Sequence, residues 1–117
     1  MRDLRTSLAA QHTRLLLVVI PQGEQASPLE RELRLEEAGA SAFDAPLLFQ
    51  VARDFEDHVK ALGVPTLGLL EPMQTFEESP SRFPLYNTED YHLSTKGSTW
   101  VGLRIYGELE RWKPWLQ

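Results

Sequence analysis

The apolar residues fall into blocks whose spacing changes along the chain, and each change marks a new element. Arg2 to Gln11 is mostly polar, with Leu4 and Leu8 four positions apart, which predicts a short helix. Leu15-Leu16-Leu17-Val18-Val19-Ile20 is a continuous apolar run closed by Pro21. A run of this length, ended by proline, predicts a strand over 12–20 buried on both faces, the kind found in parallel sheets. A buried helical segment would share the pattern, but Pro21-Gln22-Gly23 favours the strand.

Glu24 to Gly39 is charged and only loosely periodic, which predicts an irregular stretch with a short helix. A second helix, 46–62, opens at Asp44-Ala45-Pro46, with Asp44 or Ala45 as its cap. Leu48, Val51, Ala52, Phe55, Val59 and Leu62 form its apolar stripe, and Gly63 stands where a left-handed C-cap belongs. Val64 to Leu70 predicts a strand over 64–70, ended by Glu71-Pro72, and Phe76 to Pro84 reads as loop. Val101, Ile105, Leu109 and Trp112 then repeat every three or four residues, predicting a helix over 95–113 that Pro114 stops. Helix, strand, helix, strand, loop, helix is an α/β order, with helices laid on a short parallel sheet.

Composition narrows this picture. The chain has 117 residues, 42% hydrophobic and 25% charged, which is one globular domain rather than a disordered segment. Seventeen acidic against twelve basic residues give a net charge of −5, and this disfavours nucleic acid as a partner. There is no cysteine, so disulfides, thiol catalysis and thiolate metal sites are excluded. The longest apolar run is far short of the roughly 20 residues a membrane span needs. Met1 to Gln11 lacks the apolar core of a signal peptide, so a cytoplasmic location is the default expectation.

The segment with legible chemistry is Leu85-Tyr86-Asn87-Thr88-Glu89-Asp90-Tyr91-His92-Leu93-Ser94-Thr95-Lys96-Gly97. A carboxylate two residues before a histidine, on a loop feeding a helix, can hold the imidazole by one ring nitrogen. The other nitrogen is then presented as a general base, and the acid stabilises the imidazolium formed when a proton is taken. Ser94 can cap the helix that follows and so anchor the loop.

Tyr, a short polar gap, Asp-x-His, an apolar residue, then a small polar residue and Gly leading into a C-terminal helix resembles the last motif block of the SGNH (GDSL-type) hydrolases. Leu15–Ile20 followed by Pro21-Gln22-Gly23-Glu24-Gln25 is similar to a late sheet strand in members related to polysaccharide O-acetylation. The helix before Gly63-Val64-Pro65, with Thr66–Leu70 after it, resembles the final β-α unit leading to the histidine loop. The likeness runs from Leu15 to Leu109, with its specificity in the histidine block.

The resemblance implies a partial three-layer α/β/α fold and ester hydrolysis or acyl transfer through a Ser-His-Asp triad. Its substrate would be an ester or an acetylated carbohydrate. His92 would be the base and Asp90 its orienting acid. Many members place the acid three residues before the histidine, where this chain has Glu89, so Glu89 stands as the alternative. The nucleophile block Gly-Asp-Ser is absent: none of Ser7, Ser27, Ser41, Ser79, Ser81, Ser94 and Ser98 lies in that context. The Gly and Asn of the oxyanion loops are not recognisable either. The resemblance thus implies the C-terminal portion of such a domain, expected to be inactive alone. Its N-terminal strand, nucleophile and oxyanion loops are then lost, encoded elsewhere as an N-terminal companion segment, or cut off by a late start codon.

The remaining candidates have plainer accounts. His58 follows Asp54 by four positions and Asp57 by one, a spacing seen in metal sites, yet an exposed helix face explains it. His12 has no companion ligand, and Trp100, Trp112 and Trp115 suit the end of a small core. No Gly-x-Gly-x-x-Gly, P-loop or His-Glu-x-x-His occurs, so no cofactor or metal is expected. The alternative function is a non-catalytic α/β interaction module. Its open sheet edge and tryptophans would drive homo-oligomerisation or docking on a partner chain.

Overall fold

A computed structural model of the chain describes residues 2–27, 31–32, 36, 45–87, 89 and 92–116. Its elements run α1 (Arg2–Ala10), β1 (Leu17–Val19), α2 (Gly23–Ala26), α3 (Ala45–Ala61), β2 (Thr66–Gly68), α4 (Leu70–Glu77) and α5 (Thr95–Leu116). The two strands pair in parallel, Leu17 with Thr66, Val18 with Leu67 and Val19 with Gly68, making a small mixed α/β fold. The ladder is extended at both ends, by the Leu17 N–H on the Pro65 carbonyl (2.9 Å) and the Leu69 N–H on the Val19 carbonyl (3.0 Å). Helix α3 returns the chain to β2, and α2 packs between α3 and α4.

Helix ends follow local chemistry. Gly63 takes φ 77°, the left-handed cap its position predicts. His12 takes φ 57° at the end of α1. There the His12 N–H reaches the Ala9 carbonyl (3.0 Å) and the Thr13 N–H the Leu8 carbonyl (2.8 Å), a Schellman pattern. The structural task of His12 is thus to turn the chain from α1 toward β1.

The core lies beyond the carboxyl ends of the strands. Ala26, Leu69, Met73, Leu85, Tyr86 and Val101 are buried there, with Val18, Leu67, Phe76, Phe83, Leu93, Trp100 and Ile105 packed around them. Phe76 meets Phe83 edge-on (4.8 Å between centroids) and Trp100 at a tilt (5.6 Å), so Trp100 closes one side of this cluster.

Several expectations are corrected. The strands are shorter than 12–20 and 64–70, because pairing lasts only for three residues of each. Leu15 to Val19 are half-buried and Ile20 is 45% exposed, so this run is not covered on both faces. Leu70 to Glu77 is a helix rather than a strand end and loop. Pro72 sits in its first turn, where its missing N–H would have had no intrahelical partner. Pro114 does not stop the last helix, which continues to Leu116; that near the end, proline forfeits a single bond.

The buried face of α3 is also rotated from the stripe expected of it. Ala52 and Glu56 are buried and Val59 is half-buried, while Val51, Phe55 and Leu62 are exposed. The irregular stretch before α3 falls largely on residues outside those described, as do its cap Asp44 and the surroundings of Leu48.

Candidate functional site

The motif segment begins and ends as a narrow hairpin. Tyr86 and Leu93 form an antiparallel bridge, flanked by the Asn87 N–H on the His92 carbonyl (2.8 Å) and the Ser94 N–H on the Leu85 carbonyl (2.8 Å). Asn87 and His92 are thereby held side by side. The Tyr86 side chain is buried, and its hydroxyl donates to the Pro21 carbonyl, two residues after β1, with Met73 Sδ 3.6 Å away. That contact ties the hairpin to the carboxyl end of the parallel strands.

The other side of the hairpin is tied to α5. Ser94 Oγ accepts the Gly97 N–H (2.9 Å), satisfying one of the unpaired donors of the first turn, and donates to the Pro84 carbonyl (2.7 Å). This is the capping role its sequence position predicts. It commits the hydroxyl, so Ser94 is no nucleophile for the histidine beside it. Gly97 is required by closeness: a Cβ there would stand 1.9 Å from the Leu85 carbonyl oxygen. The sequence Ser94-x-x-Gly97 is thus a clamp between hairpin and helix.

His92 is exposed at the mouth of this loop, and Glu89 is exposed within it. Asp90 lies outside the described residues, as does Tyr91. No family model, curated protein or solved structure matches the chain.

Of the other polar groups, those singled out on α3 stand on the exposed helix face expected of them, and one was missed. Asp54, Asp57 and His58 are all exposed on α3, and Asp54 accepts a hydrogen bond from Gln50 (2.7 Å). Among the described residues no group of His, Asp or Glu is arranged to hold a metal ion. None of their helices is long and apolar enough to cross a membrane. The group that sequence reasoning overlooked is Glu56. Its carboxylate is buried over Gly68, accepts the Leu70 N–H that opens α4 (2.9 Å), and lies 3.6 Å from Lys60 Nζ. The signal was indirect: only a glycine in β2 leaves room for that carboxylate, since a Cβ on Gly68 would lie 2.6 Å from it.

Glu56 also lines a cleft of about 370 Å³ at the carboxyl ends of the strands, together with Val19, Pro21, Gln22, Phe55 and Leu70. Chemically, this end of the molecule offers an exposed imidazole on an anchored loop, two glutamine side chains and an apolar-walled cleft.

Proposed function

We propose that the chain is the acid–base portion of an SGNH-like ester hydrolase or acyl-transfer domain with a partial three-layer α/β/α architecture. His92 acts as general base, Asp90 orients it, with Glu89 the alternative acid, and the serine comes from another segment. The observation that carries this reading is the Tyr86–Pro21 contact. It holds the His92 hairpin at the carboxyl end of a parallel strand pair, where α/β folds assemble their sites. The half-buried sheet supports it as well, because parallel strands are ordinarily covered on both faces by helices, and a companion segment would complete that cover. The substrate in this reading is an ester or an acetylated carbohydrate.

Two measurements test it. Nitrogen-15 NMR should find neutral His92 in one dominant tautomer, and Asp90→Asn or Glu89→Gln should release it to a mixture. A parent imidazole that already averages between tautomers removes the orienting acid and the proposal with it. An aryl-acetate assay of the chain alone should show no turnover that depends on His92. Turnover abolished by His92→Ala would instead locate the nucleophile within these 117 residues.

A second reading, the non-catalytic interaction module, is favoured by one specific feature. Leu47, Val51 and Phe55, spaced four apart on α3, are 63%, 52% and 58% exposed. Three large apolar side chains in one row form a surface suited to covering by another chain.

A further inference from the structure

A cavity of about 480 Å³ opens at the amino ends of the strands, away from the His92 hairpin, a size within the range of small-molecule sites. Ala9, Leu15, Pro65 and Trp112 give it apolar walls, and Arg5 and Arg14 stand among them. Among the described residues no acidic side chain lines it, although the chain carries a net charge of −5.

The two arginines are held in different ways. Arg5 Nη1 donates to the Gly63 carbonyl (3.0 Å), which fixes the guanidinium while using one of its five N–H groups. The Arg14 guanidinium lies 5.8 Å from the centre of the Trp112 ring. Among the described residues, neither meets a carboxylate within ion-pairing distance. Two cations that pair with no described carboxylate, beside an indole and aliphatic walls, complement one chemistry: a flat apolar body carrying an anionic group.

We propose that this cavity binds small aromatic carboxylates. The ring lies against Trp112, Leu15 and Pro65, and the carboxylate takes charge-assisted hydrogen bonds from Arg14 and from the remaining N–H groups of Arg5. The site is independent of the ester chemistry proposed above, being built from α1, α5 and the opposite ends of the strands.

Isothermal titration with 2-naphthoate tests the assignment, beside 2-naphthalenemethanol as neutral analogue and inorganic phosphate as a bare anion. Saturable naphthoate binding, about tenfold weaker in Arg14→Gln, is expected, with both controls weaker than naphthoate by a similar factor. Arg14→Lys, which keeps the charge but loses the planar fork, should fall between parent and Arg14→Gln. Circular dichroism identifies any variant that fails to fold. Equal binding of the neutral alcohol would reduce the cavity to a greasy groove, and equal binding of phosphate would reduce it to a cationic patch. Either result overturns the proposal, as does naphthoate affinity that is undetectable or indifferent to both Arg14 variants.

Discussion

Gly97 and Gly102 lie five positions apart on one helix and impose opposite constraints. At Gly97 a methyl group would collide with the Leu85 carbonyl, which also accepts the Ser94 N–H. Backbone must therefore move, and both ties of the hairpin move with it. Gly97→Ala should destabilise the chain by about 2–4 kcal/mol in urea unfolding, in the range of strained core substitutions. At Gly102 nothing stands within 4 Å of where a Cβ would lie, so Gly102→Ala should add about 0.5–1 kcal/mol through helix propensity alone. Equal effects at the two sites would contradict the close packing of α5 on Leu85. The sequence showed both glycines alike; only the path of another segment distinguishes them. Glu56 makes the same point in reverse, a charged residue drawn inward because Gly68 leaves space and the Leu70 N–H needs an acceptor.

Among the elements, ends were more legible than faces. Gly63 was readable as a left-handed cap because glycine alone adopts that conformation without cost, and Ser94 was readable as an N-cap. His12 performs the task of Gly63 at the end of α1 with a side chain that disfavours it. His12→Gly should therefore raise stability by up to about 1 kcal/mol, seen as a higher denaturation midpoint with unchanged slope. A loss of stability would mean that the imidazole makes contacts worth more than the backbone strain. Helix α4 escaped the sequence reading because Leu69-Leu70 completes an apolar run that resembles a strand, and Pro72 resembles its stop. The face of α3 was misjudged for a related reason. A heptad-like stripe records which residues are apolar, whereas burial depends on what the neighbouring elements present.

At the scale of the whole molecule, the chain is extended. Its radius of gyration is 16.4 Å, against about 13 Å for a compact domain of this length. The longest dimension is 50 Å, and the 22 residues of α5, about 33 Å of helix, contribute much of it. Leu103, Tyr106 and Leu109 are exposed along that helix, as Leu47, Val51 and Phe55 are along α3. Two parallel strands with half-buried faces are a marginal sheet by themselves. Sedimentation equilibrium should accordingly reveal concentration-dependent association, and Phe55→Asp should weaken it without unfolding the chain, since that side chain is 58% exposed. A strict monomer at high concentration would dispose of self-association and count strongly against the interaction-module reading.

The sequence by itself determined the α/β alternation, the caps at Gly63 and Ser94, and the loop on which His92 sits, because these depend on residues near one another in the chain. Tertiary structure alone decided that Tyr86 ties this loop to Pro21 and that Glu56 is buried over Gly68. It alone decided, too, that Arg5, Arg14 and Trp112 share a cavity. Those contacts join segments distant in the chain, and residue spacing carries no record of which surfaces will meet.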